Sequence, residues 1–256
     1  MPPAAPPPTP VPAADHALAA ELAGTAGKVL LELRASGGRH PQLVKDEGDR
    51  RAHVFIAGRL REERPHDGLL SEEGHDDRGR LALDRVWVVD PLDGTREFGE
   101  PGRVDWAVHI ALAVGGSVAA AAVALPAEDL VFATDPAPTP PPAGDRRLRV
   151  ATSRTRRPLA STVVAEALDA ELVPMGSAGA KAMAVVRGDV DAYAHAGGMY
   201  EWDSAAPTGV AAAAGLHVSR IDGSPLTYNH ADPWLPDLLI CRPELADACL
   251  AALLHC

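Results

Sequence analysis

The sequence predicts a mixed α/β protein built from layered sheets and helices. Three observations carry that expectation. The continuous apolar run Val86-Trp87-Val88-Val89 marks a strand buried on both faces. Three more strand-length segments follow it, separated by glycine or proline turns. The second half then alternates strand-length with helix-length apolar patterns.

The elements follow in order. Residues 1–14 are rich in proline and alanine and predict a disordered or polyproline tail. Asp15 is placed to cap a helix carrying Leu18, Leu22, Val29, Leu30 and Leu33, and Gly37-Gly38 would end it. A second helix is expected from Asp49 to about Glu63, with Phe55, Ile56 and Leu60 inward. Leu69-Leu70 forms a short strand that ends in Ser71-Glu72-Glu73-Gly74. After the buried strand come Trp106 to Val114, Ser117 to Leu125 and Val131 to Thr134, an antiparallel meander.

Asp135 to Asp145 is proline-rich and gives the best boundary in the chain. It divides an N-terminal α+β subdomain, residues 15–140, from a C-terminal α/β subdomain, residues 141–256. Beyond it, strands are expected at Leu148–Thr152, Glu171–Val173, Val190–Ala194, His217–Ile221 and Leu238–Cys241. Helices are expected at Leu159–Leu168, Ala178–Arg187, Ser204–Ala214 and Glu244–Leu254.

Composition narrows the partners. The chain of 256 residues carries 24 Lys and Arg against 35 Asp and Glu, a net charge of −11, and only 4% aromatic residues. An acidic surface poor in stacking platforms disfavours nucleic-acid polymers. A small phosphorylated molecule remains acceptable if cations sit between it and the protein. No membrane span is expected, because the alanine-rich stretch from Ala107 to Leu125 is broken by His109 and Gly115-Gly116. The N-terminus lacks the pattern of a signal peptide, so a cytoplasmic location is expected. Cys241, Cys249 and Cys256 have no zinc or disulfide spacing and are expected as reduced structural thiols. The ten histidines show no ligand spacing and are expected to be mostly exposed.

The chemistry concentrates in Asp90-Pro91-Leu92-Asp93-Gly94-Thr95-Arg96-Glu97-Phe98. The buried strand delivers Asp90 at its C-terminal end, and Pro91 forbids continuing the ladder and sets up a turn. Asp93-Gly94-Thr95 opens a helix whose free N–H groups form a phosphate cradle. Two carboxylates beside that cradle suit Mg²⁺, which prefers oxygen ligands. The competing readings are a solvated Pro-Asp-Gly turn and the nucleophile loop of haloacid-dehalogenase phosphatases. The latter spaces its aspartates two apart, whereas these stand three apart across a proline. Three more acidic sites join them: Glu72-Glu73, Asp49 and Asp203. Each alone is an ordinary helix cap or a solvated turn.

Taken together and in this order, these segments resemble the inositol-monophosphatase superfamily of metal-dependent, lithium-sensitive phosphatases, from about Asp15 onward. The specific signature is Glu-Glu, then Trp-Val-Val-Asp-Pro-Leu-Asp-Gly-Thr, then Trp-Asp-x-Ala-Ala. Thr95-Arg96-Glu97-Phe98, Gly176-Ser177 with Lys181, and Glu201-Trp202-Asp203 are most similar to the CysQ-type 3′(2′),5′-bisphosphate nucleotidases.

The resemblance implies an α-β-α-β-α sandwich, often a homodimer. It implies two or three Mg²⁺ held by Glu72, Asp90, the Leu92 carbonyl, Asp93 and Asp203. Thr95, bonded to Asp49, would orient and deprotonate the attacking water; Asp46 is the fallback for Asp49. The substrate would meet Leu92, Gly94, Thr95, Arg96, Gly176, Ser177, Lys181 and Asp203, with Arg154 a weaker candidate for a second phosphate. The activity implied is removal of the 3′-phosphate from 3′-phosphoadenosine 5′-phosphate, a by-product of sulfate activation. Inositol-1-phosphatase or fructose-1,6-bisphosphatase activity is the alternative, and a non-catalytic metal-binding module a more distant one. Charge supports the assignment: about −4 from four carboxylates and about −2 from a phosphate need about +4 to +6 from cations.

Overall fold

The computed structural model describes residues 9–36, 41–156 and 158–254. It contains two five-stranded sheets and seven α-helices among those residues. Residues 1–8 of the expected tail, the Gly37-Gly38 stop and Cys256 lie outside the described residues.

Two long helices come first, α1 (Ala13–Ala35) and α2 (Pro41–Glu63). The first sheet has the order β1 (Gly68–Ser71), β2 (Arg85–Asp93), β3 (Ala107–Val114), β4 (Ser117–Leu125) and β5 (Leu130–Ala133). β1 runs parallel to β2, and every later pairing is antiparallel, which is the expected meander. The second sheet has the order β7 (Glu171–Met175), β6 (Arg149–Ser153), β8 (Ala192–Tyr200), β10 (Trp234–Cys241), β9 (His217–Ser219). The proline-rich segment runs between the two sheets. Helices α4 (Leu159–Ala167), α5 (Ala178–Arg187), α6 (Glu201–Ala213) and α7 (Ala246–Leu253) complete the chain with the one-turn α3 (Thr95–Phe98).

Side-chain alternation produces the layers. Trp87 and Val89 of β2 face α1 and α2, packing with Leu22, Leu30 and Ile56. Val86 and Val88 face the opposite way, onto Met183 of α5 and Ala205 of α6. The outer face of the second sheet packs Val150 and Leu239 against Val164 of α4 and Cys249 of α7. The order is therefore α-β-α-β-α, with α5 and α6 as the filling. β2 lies between helices on both sides, which is why its sequence is a continuous apolar run.

Several element bounds need correction. α1 begins at Ala13, and Asp15 is not its cap but a buried first-turn residue. Its carboxylate accepts from Arg64 at 2.8 Å and Arg85 at 3.1 Å. α2 begins at Pro41, so Asp49 lies inside a helix instead of opening one. Proline is tolerated in a first helical turn, and Lys45-Asp46-Glu47 continues the helix without a break. β8 and β10 are longer than expected, and α6 starts at Glu201. Cys241 and Cys249 are buried and unbridged. No described helix is long and apolar enough to cross a membrane.

Candidate metal and phosphate site

The site forms where the first sheet meets α5 and α6. The expected end of the strand at Asp90 needs correction: β2 runs through Pro91 to Asp93. The proline, lacking an N–H, only interrupts the ladder with β3, where Asp90 pairs with His109 and the next pair is Asp93 with Ala107. The two skipped residues turn the backbone so that Asp90 and Asp93 reach the same hollow. Asp90 folds one carboxylate oxygen back to accept from the Leu92 N–H at 3.0 Å.

Gly94 then adopts a left-handed conformation at φ 87°, where a side chain would be strained. A Cβ there would also press on the Asp105 carbonyl and the Trp106 backbone at 3.3 Å each. Thr95 starts α3 and donates its hydroxyl to the Leu92 carbonyl at 3.2 Å.

Asp93 is held from behind. Its Oδ2 accepts from the Ser177 hydroxyl and from the Gly179 N–H at 2.7 Å, both at the start of α5. His109 Nε2 lies 3.2 Å from the same oxygen. Burial alone would raise the Asp93 pKa, but His109, Lys181 and Ser177 outweigh it and hold the carboxylate at about 2.

The other carboxylates behave oppositely. Asp90 is pushed well above its usual value by burial and by the charges of Glu72, Asp93 and Asp203. Glu72, which follows β1 and keeps solvent contact, hydrogen-bonds Asp90. It is raised to about 7 by burial and by Asp203, Asp93 and Glu73. Asp203, the third residue of α6, accepts from the Tyr200 N–H at 2.7 Å. Burial and Asp93 lift it to about 6. Mutual elevation of this kind means that four negative groups share one space without enough positive charge. Carboxylates so arranged fit an oxygen-liganded divalent cation, which supplies the missing charge.

Asp49, from α2, hydrogen-bonds Thr95 and competes with the Leu92 carbonyl for its one hydroxyl proton. Burial, then the charges of Glu73 and Asp46, raise it to about 7. Asp46 lies one turn earlier on the same helix and is exposed.

A cavity of about 760 Å³ opens above these groups. Asp93, Gly94, Thr95 and Asp203 line it from the carboxylate side, and Gly176, Ser177 and Lys181 line it from the start of α5. Lys181 is buried and donates to the carbonyls of Gly176, at 3.1 Å, and Ser177. It has one donor left for the cavity, so it is less free than an unpaired lysine. Arg154 also lines the cavity but is held by Glu97 at 2.7 Å and Glu100 at 2.6 Å. Arg96 and Arg156 line it as exposed side chains.

The expectation that most histidines are exposed needs correction: among the described ones only His66, His75 and His230 are exposed, and His109 departs furthest. It is 0% exposed, and its Nδ1 lies 3.1 Å from the Trp202 carbonyl, the residue before Asp203. Asp90, Asp93 and His109 place ligand-type atoms within 4.8 Å of one another. Spacing along the chain could not show this. The available signal was its position in a buried strand, facing Asp90 across the ladder.

The fold and this set of converging groups define the class: a metal-dependent phosphatase. The chain belongs to the inositol monophosphatase family, which it matches over residues 14–256. Among curated relatives, it is 52% identical over 252 residues to the 3′-phosphoadenosine 5′-phosphate phosphatase of Mycobacterium leprae, covering 93% of each chain. It is 54% identical over 237 residues to the protein of the same name from Mycobacterium tuberculosis, covering 89% of each. Among solved structures, CysQ from Bacteroides thetaiotaomicron superposes with a TM-score of 0.80 at 25% identity, covering 90% of this chain and 97% of that one.

Proposed function

We infer that this protein is a phosphoric monoester hydrolase that removes the 3′-phosphate of 3′-phosphoadenosine 5′-phosphate, giving AMP and phosphate. The single observation that carries this reading is the identity of 52% over nearly the full chain to a phosphatase of that name. The convergence of Glu72, Asp90, Asp93 and Asp203 supports it independently. The cellular role proposed is clearance of a by-product of sulfate activation. Cytoplasmic location, lithium sensitivity and a homodimer belong to the same proposal.

In the proposed assignment, Glu72, Asp90, the Leu92 carbonyl, Asp93 and Asp203 hold two or three Mg²⁺. The bound ions would lower the pKa of a water and neutralise the phosphoryl and leaving oxygens. The chain's own groups do the rest. Asp49, with its pKa near 7, is poised to take a proton from Thr95, whose hydroxyl orients the nucleophilic water. The N–H groups of Gly94 and Thr95 would meet the phosphoryl oxygens, and Lys181 would hold the substrate with its remaining donor, while the Ser177 hydroxyl is committed to Asp93. Hydrolysis is in line, with no covalent phosphoenzyme.

The test is phosphate release from 3′-phosphoadenosine 5′-phosphate, inositol 1-phosphate and fructose 1,6-bisphosphate, with and without Mg²⁺. The nucleotide should exceed the others in kcat/KM by about tenfold or more, a margin of about 1.4 kcal/mol. A preference of that size for inositol phosphate would overturn the assignment.

The raised carboxylates give a pH prediction for the metal-free protein. A carboxylate whose folded pKa is raised contributes stability that is complete at low pH. That stability is lost as pH climbs through the folded value. For Asp203 and Glu72 those values are about 6 and about 7. The melting temperature in EDTA is therefore expected to fall between about pH 5 and about pH 8. Saturating Mg²⁺ should shrink that fall, because the cation favours the ionised forms. Melting curves with and without Mg²⁺ at both pH values check this, and equal slopes would contradict it.

A further inference from the structure

Aromatic residues are scarce in this chain: four Trp, three Tyr and three Phe. Two of them stand exposed beside the catalytic cavity. Tyr200 is 46% exposed and lines the cavity itself. Trp234 is 49% exposed and is the cross-strand partner of Tyr200 between β8 and β10. Large apolar rings left in water at one rim need a reason.

The geometry gives one. Trp202 stacks on Tyr200 with ring centroids 4.7 Å apart and planes 12° from parallel. The stack braces the Tyr200 ring on one face, while the residue stays 46% exposed at the cavity. Trp234 packs over Gly198, another cavity-lining residue, and fills the place a side chain would take there. The Tyr200 backbone N–H is bonded to Asp203, so residue 200 is anchored beside the carboxylate cluster. A braced flat ring within reach of a phosphate site is suited to a planar heterocycle. A polyol ring, with hydroxyls on both faces, gains little from it.

We propose that Tyr200, braced by Trp202 and flanked by Trp234, is the stacking platform for the base of the nucleotide, and so sets the preference for nucleotides over polyol phosphates. This rests on the nucleotide-phosphatase reading above and adds the residue that reads the base. The platform binds a non-reacting part of the substrate, in the ground state and the transition state alike. Its loss therefore raises KM and leaves kcat nearly as it was.

The experiment measures competitive inhibition of 3′-phosphoadenosine 5′-phosphate hydrolysis by AMP and by ribose 5-phosphate, which lacks the base. It uses the Mg²⁺-loaded protein and its Tyr200→Ala, Tyr200→Leu and Tyr200→Phe variants. The Leu variant keeps apolar bulk on Trp202 without a ring, so it guards against a packing defect in the Ala variant. The ratio of the two inhibition constants should collapse about 10- to 100-fold in the Ala and Leu variants. In the Phe variant it should stay within about threefold of the unmutated protein, because the ring face remains. A ratio in the Ala and Leu variants equal to that of the unmutated protein would overturn the platform. Failure of the unmutated protein to hydrolyse the nucleotide at all would instead overturn the reading beneath it.

Discussion

Asp93→Asn leaves a folded protein whose turnover is lower by about 1,000-fold or more. The substitution preserves shape and removes one charge. The amide oxygen of asparagine can still accept from the Ser177 hydroxyl and the Gly179 N–H, which now hold Asp93 Oδ2. The amide NH₂ then takes the place of the oxygen that faces the hollow. A donor stands where an acceptor for a cation is needed, and the carboxylate of lowest pKa in the cluster, about 2, is gone. Asp93 is the member that stays ionised without help, so its loss cannot be offset by a rise in pH. Steady-state phosphate release and a melting curve in EDTA measure the two sides. The melting temperature should fall, since His109 and Lys181 stabilise the Asp93 charge by more than its burial opposes it, and the amide removes that gain. Activity within tenfold of the unmutated protein would remove Asp93 from the mechanism.

Thr95→Ala lowers kcat by about 100- to 1,000-fold, the range expected for a positioned proton-transfer group. KM changes little, because the backbone N–H of residue 95 and the whole of α5 remain. Asp49 loses its hydrogen-bonded neighbour, and its carboxyl is left facing Glu73 and Asp46. Thr95→Ser, which returns the hydroxyl, should recover most of the rate. A Ser variant as slow as the Ala variant would mean that the methyl group matters and the hydroxyl does not. The pair of variants thus separates proton transfer from packing.

The layered order of helices and sheets was legible wherever burial writes itself into pattern. β2 is apolar on both faces because helices cover both faces, and the sequence shows an unbroken run there. The meander was legible because its turns carry Gly115-Gly116 and Pro126. The start of α2 was not, since a charged stretch such as Lys45-Asp46-Glu47 suits a loop as well as an exposed helical turn. Asp15 shows the same ambiguity: a lone aspartate before an apolar pattern suits a cap, yet here it is a buried partner of Arg64 and Arg85.

The acidic members of the candidate site were legible because three of them, Glu72, Asp90 and Asp93, fall within two short segments, with Asp203 supplied by a third. His109 was not legible as a site residue. Its meeting with Asp93 depends on the interrupted ladder of β2 and β3 and on the approach of α6, which brings the Trp202 carbonyl to its other nitrogen. Lys181 was legible as a candidate, but its bonds to the Gly176 and Ser177 carbonyls follow only from how α5 begins.

Diffraction from crystals grown with Mn²⁺ in place of Mg²⁺, recorded for its anomalous signal, addresses the central matter most directly. The account predicts at least two strong peaks enclosed by the carboxylates of Glu72, Asp90, Asp93 and Asp203. Peaks only at other surface carboxylates, or none at saturating Mn²⁺, would contradict it.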